Sequence, residues 1–133
     1  MNKIEHIGIA VKDLELAKHT FTQLLGTEAY KEEAVESEGV STAFFKVGEV
    51  KIELLQATNT DSPIAKFIDK RGEGIHHIAF EVDSVEEKTA ELNDNGFVVL
   101  SEKPKAGADN KLINFLHPKS ANGVLVELCQ DKL

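Results

Sequence analysis

Four residues of this chain have the types and spacing to hold a divalent metal: His6, Glu53, His77 and Glu127. They fall into two pairs because the chain repeats itself. Ile4-Glu5-His6-Ile7-Gly8-Ile9-Ala10-Val11 lines up with Ile75-His76-His77-Ile78-Ala79-Phe80-Glu81-Val82 at an offset of 71. Ile52-Glu53-Leu54-Leu55-Gln56 lines up with Val126-Glu127-Leu128-Cys129-Gln130 at an offset of 74. Each copy thus supplies one imidazole and one carboxylate, donors that suit cobalt, manganese, nickel or zinc. Four protein ligands on one six-coordinate ion leave two adjacent positions open, as a bidentate substrate requires. A single strand histidine is ordinarily structural, and a glutamate near a strand end ordinarily faces water. The fourfold match under the repeat is what argues for ligands.

Strand parity agrees. His6 shares a face with Ile4, Gly8 and Ala10, and His77 with Ile75, Ala79 and Glu81. The neighbour two residues on is small in both copies, which leaves room for a bound molecule. Glu127 lies on a face with Leu125 and Cys129, so Val124, Val126 and Leu128 are expected in the core. A glutamate in so apolar a strand costs several kcal/mol to bury as an ion unless it is paired or bound to metal. His76 rivals His77, but parity turns it the other way. His19 reads as a surface residue, His117 as either a loop residue or a substrate contact, and Cys129 as a small buried hydrophobe.

These residues must be positioned by two copies of one unit: strand, helix, three strands. The first helix begins near Asp13, carries Leu14, Ala17, Phe21, Leu24 and Leu25 on one stripe, and stops at Gly26. The second begins at Ser84, with Glu87 completing a capping box, carries Val85, Thr89 and Leu92, and stops at Gly96. Strands are expected at Thr27–Glu36, Ser41–Val47 and Ile52–Gln56, then at Phe97–Ser101, Leu112–Leu116 and Val126–Gln130. Module 1 covers about 3–57 and module 2 about 75–130, joined by a helix over about 62–71 with Ser62 as cap and Pro63 at its first turn. No low-complexity linker separates them, so residues 1–133 read as one domain of the α+β class.

A net charge of −8 argues against nucleic acid as a partner. No apolar run is long enough to span a membrane, and the N-terminus has no signal-peptide pattern. One cysteine in the chain fits a reducing compartment, so the cytoplasm is expected. Against the acidic background, Lys103, Lys105, Lys111 and Lys119 with the single acid Asp109 give a local excess of three positive charges. That stretch is either a solvated surface or a contact for an anionic ligand.

Three segments resemble the vicinal oxygen chelate superfamily and, within it, the methylmalonyl-CoA epimerase family. They are Asp61–Phe67, Gly74–Val82, and Ile113–Ser120 followed by Gly123–Leu128. The His-Pro-Lys of Lys119 and the Gly-Val-Leu-Val-Glu-Leu around Glu127 are the specific part. The resemblance implies two βαβββ modules forming a cupped, partly closed mixed sheet around a metal site. It implies one divalent ion on His6, Glu53, His77 and Glu127, methylmalonyl-CoA as substrate, and inversion at C2 through a metal-stabilised enolate. It gives Glu127 an added acid–base role. Some members carry a second glutamate where this chain has Thr42, which leaves Glu36, Glu38, Glu53 or a bound water for the second proton. A homodimer is expected, with modules paired within or between chains. The alternatives are a lactoylglutathione lyase-like isomerase and a metal-free binding protein of the same fold.

Overall fold

The computed structural model describes residues 1–132. Among them the repeat takes shape as β1 (Lys3–Ala10), α1 (Leu14–Leu25), β2 (Lys31–Val35), β3 (Val40–Val47) and β4 (Val50–Ala57). After the connecting helix α2 (Pro63–Arg71) come β5 (Gly74–Glu81), α3 (Val85–Asp94), β6 (Lys105–Gly107), β7 (Lys111–Leu116) and β8 (Val126–Asp131). The chain divides into two compact units: His6–His76, and the first five residues together with the chain from His77 onward. No helix of the described residues is long and apolar enough to cross a membrane.

In the unit His6–His76 the strand order is β2-β3-β4-β1. β1 runs parallel to β4, with Gly8 opposite Glu53, and β3 pairs antiparallel with β4, with Phe44 opposite the same Glu53. α1 forms where the sequence caps it: the Asp13 side chain accepts from Leu16 N–H, and Gly26 ends the helix in a left-handed conformation that suits glycine. Leu14 is buried, and Ala17, Phe21 and Leu25 pack on a core of Val11, Ala43, Phe45 and Leu54. Leu24, expected on that stripe, is 70% exposed, because it is turned past the edge of the apolar face. A second cluster of Ala10, Val40, Leu55 and Ile64 sits under α2, whose cap is the Ser62 hydroxyl accepting from Ile64 N–H at 3.1 Å.

The other unit repeats the plan in the order β5-β8-β7-β6. β5 runs parallel to β8, with Ala79 opposite Glu127, and β7 pairs antiparallel with β8, with Phe115 opposite Glu127. Ser84 caps α3 by accepting from Glu87 N–H at 3.1 Å. Val82, Val85 and Leu128 form one core cluster, and Ala79, Ile113 and Cys129 another. Val124, expected in the core, precedes β8 and is 40% exposed.

One expected strand is displaced. Phe97–Ser101 forms no strand; it keeps an isolated bridge from Val99 to Leu116. The first strand after the helix is instead the three-residue β6, paired antiparallel with β7. Val98 and Leu100 are more than half exposed, and only two backbone bonds tie the segment to β7 and the residue after it, Leu100 N–H to the Phe115 carbonyl at 2.9 Å and His117 N–H to the Val98 carbonyl at 2.7 Å, among the described residues. Pro104 offers no N–H to continue a ladder. The buried Asn114 amide takes over the Ser101 carbonyl at 2.9 Å, replacing a backbone bond with a side-chain one.

One device recurs in both units and bears on the site. The strand carrying the glutamate ends in a glutamine whose Oε1 accepts from the first N–H of the helix: Gln56 from Leu14, and Gln130 from Val85 at 2.7 Å. Helix N-termini have unsatisfied N–H groups, so this bond stabilises the helix start. It also ties the helix to the strand three residues beyond each candidate ligand.

Candidate metal centre

Each unit brings its own histidine and glutamate together. In His6–His76, His6 Nε2 lies 3.2 Å from Glu53 Oε1, with both side chains almost wholly buried. In the second unit, His77 Nε2 lies 3.3 Å from Glu127 Oε1, again buried. The parallel pairings explain this. Gly8 stands opposite Glu53 and Ala79 opposite Glu127, so each carboxylate emerges beside a residue too small to block it, on the face of the histidine two residues earlier.

The donor set fits a metal. Two ligands on one first-row ion, each about 2.1 Å from it, sit roughly 3.0 to 3.4 Å apart in octahedral or tetrahedral geometry. Both His–Glu separations fall in that window. A buried carboxylate also needs a strong partner, which an ion supplies.

An aromatic ring stands beside each pair. Phe115 lies edge-on to His77, ring centroids 6.0 Å apart, with the Lys105 ammonium 5.7 Å from the same ring. Phe44, opposite Glu53, packs against Tyr30 at 6.0 Å. The sequence reading missed these rings, although the same offset of 71 relates Phe44 to Phe115 and signals them.

The remaining candidates divide clearly. His76 turns away from His77, makes an edge contact with Phe67 at 5.0 Å, and has its pKa lowered to about 4 by burial. It is a neutral packing residue near neutral pH. His19 is exposed, as expected. His117 caps the turn Pro118–Ala121, its Nδ1 accepting from Lys119 N–H at 3.0 Å. The Cys129 thiol is fully buried and pushed well up, first by burial and then by the nearby Glu127 and Glu5 carboxylates. It stays protonated and is no thiolate ligand. The Thr42 hydroxyl donates to the Glu33 carbonyl at 3.1 Å, so its proton is committed to the backbone. Glu36 is exposed in the short turn Glu36–Glu38.

The basic stretch is not one surface. Lys111 is 6% exposed, bonded to Asp131 and 3.9 Å from the buried Glu5 carboxylate. Its place at the start of an inward-facing strand makes it a structural cation, which corrects the reading of all four lysines as a single patch. Lys103, Lys105 and Lys119 are exposed.

Comparison with known proteins gives a consistent result. Residues 5–115 match the model of the Glyoxalase/Bleomycin resistance protein/Dioxygenase superfamily. An ethylmalonyl-CoA/methylmalonyl-CoA epimerase from Cereibacter sphaeroides is 41% identical over 132 residues, covering 98% of each chain. The mitochondrial methylmalonyl-CoA epimerase of Homo sapiens is 40% identical, covering 98% of this chain and 74% of its own. The structure of a Streptomyces coelicolor methylmalonyl-CoA epimerase in complex with 2-nitronate-propionyl-CoA superposes with a TM-score of 0.95 at 37% identity, covering 98% of this chain and 95% of that one.

Proposed function

This chain belongs to the Glyoxalase/Bleomycin resistance protein/Dioxygenase superfamily, and from that premise we propose that it is a methylmalonyl-CoA epimerase. The observation that carries the reading is the duplicated, buried His–Glu pair in a chain that aligns end to end with named epimerases. His6, Glu53, His77 and Glu127 together would hold one divalent ion. Such an ion supplies Lewis-acid polarisation of a thioester carbonyl, which acidifies the adjacent C–H. The protein's own residues do the rest. Gly8 and Ala79 keep space beside the pairs, and Phe44 and Phe115 exclude water next to them. Glu127 takes the C2 proton on one face of the acyl group, and an acid on the opposite face returns one. We place the enzyme in the cytoplasm, acting as a homodimer.

Incubation with methylmalonyl-CoA in heavy water tests this directly. Deuterium should enter at C2 without carbon–carbon cleavage and without glutathione. Exchange should stop when a chelator removes the metal and resume when cobalt or manganese is restored. Activity that survives complete metal removal, or that requires a glutathione adduct, would sink the reading.

A further inference from the structure

We infer that Lys105 grips an oxyanion of the thioester substrate at the edge of the His77–Glu127 pair; this rests on the epimerase reading above. Three facts place it there. Phe115 stands opposite Glu127 in the β7–β8 ladder, and its ring lies edge-on to His77. The Lys105 ammonium sits 5.7 Å from the centre of that same ring. Lys105 is exposed on β6, the outermost strand of its unit, so an incoming anion can reach it.

The other lysines of the stretch do not share this position. Lys111 is buried against Asp131 and Glu5. Lys103 lies in the turn closed by the Ser101 hydroxyl, and Lys119 in the turn capped by His117. Cation–π attraction to Phe115 holds the Lys105 ammonium near the pair, and an ammonium carries three N–H donors. A CoA thioester of a dicarboxylic acid offers two kinds of oxyanion, the free carboxylate of the acyl group and the phosphates of the nucleotide. The Lys105 ammonium suits either.

The test uses Lys105→Met, which keeps the stem and removes the charge, with Lys105→Arg as rescue. Exchange at C2 is followed for methylmalonyl-CoA and for the methylmalonyl thioester of pantetheine, which lacks the nucleotide. Inhibition by propionyl-CoA, which lacks the carboxylate, is measured alongside. Lys105→Met should raise KM for methylmalonyl-CoA about fivefold at low salt, leave kcat within about twofold, and lose most of its effect at high salt, the scale of an exposed ion pair. Lys105→Arg should restore KM. If the partner is a phosphate, the penalty disappears with the pantetheine thioester and persists for propionyl-CoA binding. If it is the carboxylate, the pattern reverses. An unchanged KM at low salt in Lys105→Met, with wild-type exchange intact, overturns this inference alone. Absence of exchange by the wild type overturns the epimerase reading, and this inference with it.

Discussion

The two His–Glu pairs are matched in distance, burial, register and flanking aromatic ring, whereas their surroundings have diverged. Specific positions beside the His6–Glu53 pair are uncharged. Val40 pairs with Ala57 and packs with Ala10, Leu55 and Ile64, and Phe44 meets the uncharged Tyr30. At the equivalent positions of the His77–Glu127 pair, Lys111 meets Asp131, and Phe115 meets the Lys105 ammonium. The residue before each ligand histidine differs too: Glu5, buried near Lys111, and His76, packed on Phe67. The two halves therefore keep the same His–Glu geometry and place their neighbouring charges differently. That asymmetry suits a reaction in which one glutamate only binds while the other also carries a proton.

The sharpest way to break this comparison is to remove each carboxylate in turn. Glu127→Gln should lower turnover by about 10²-fold or more, the usual scale for a general base, while the protein keeps measurable metal. Glu53→Gln should lose much less, since the amide oxygen still ligates and, on this reading, no proton passes through Glu53. Turnover and metal content of both variants decide it. Equal losses would mean that both glutamates carry protons and that the halves are functionally symmetric. Exchange at C2 as fast as wild type in Glu127→Gln, with metal intact, would reduce Glu127 to a ligand.

The Lys111 charge of the second half gives the next largest effect. The Glu5 and Lys111 side chains are 3% and 7% exposed, so removing the cation strands a buried carboxylate. Lys111→Met should cost about 3 kcal/mol of stability, at the low end for a broken buried pair because the separation is 3.9 Å. Asp131→Ala should cost under about 1 kcal/mol, since its side chain is 76% exposed. Urea midpoints measure both. Restoration by a second change, Glu5→Gln, would confirm the stranded charge as the cause. A cost below about 1 kcal/mol for Lys111→Met would show that this half tolerates the apolar solution its counterpart uses.

How much of this was legible in the sequence follows from what repeats. The pairing of each histidine with its glutamate, strand parity, both helix caps and the glycine stops follow from local patterns, and the internal offset turned four individually weak signals into one strong one. The short β6 was not legible, because its edge is decided by Pro104 and by the Asn114 side chain replacing a backbone bond. Lys111 was misassigned for a related reason. Sequence neighbourhood grouped it with Lys103 and Lys105, whereas its register opposite Asp131 and its approach to Glu5 come from residues distant in the chain. Val124 and Leu24 show the limit of periodicity, which gives a direction but not where the covering layer ends.

His76 sharpens the comparison of the residues preceding the ligands. Burial holds its pKa at about 4, against an ordinary value near 6.5. Between those values the unfolded chain binds a proton that the folded chain does not, so stability is complete above about pH 6.5 and falls as pH drops toward about 4. The gap is worth at most about 3 kcal/mol, and about 2 after discounting the partly exposed ring edge. His76→Phe should remove that share of the acid loss, read as the difference between wild-type and variant urea midpoints at pH 7 and pH 4.5. Every other titrating group is common to both proteins and cancels in the difference. Parallel curves would mean that His76 takes its proton without cost and that the packing on Phe67 opens in acid.

The smallest expected effect lies at the edge that carries Lys105. Gly107 stands opposite Lys111 as Val35 stands opposite Val40, so one half places glycine where the other places a branched side chain. The reason is space. A Cβ at Gly107 would come within 2.8 Å of Ile113 Cδ1 and 2.9 Å of its Cγ2. The Cδ1 end can swing aside, but Cγ2 is fixed by branching at Cβ, so some overlap must be relieved by the backbone. Gly107→Ala should therefore cost about 1 kcal/mol, the low end for overpacking, because β6 is a three-residue edge strand that can give slightly. Combining it with Ile113→Ala should cost less than the sum of the two changes, since each relieves the other. The same strand positions Lys105 two residues earlier, so an outward shift of β6 should also raise KM in Gly107→Ala. A variant as stable as wild type, with additive behaviour beside Ile113→Ala, would mean that β6 is not pinned by this contact. The placement of the Lys105 ammonium would then owe nothing to the Gly107–Ile113 contact.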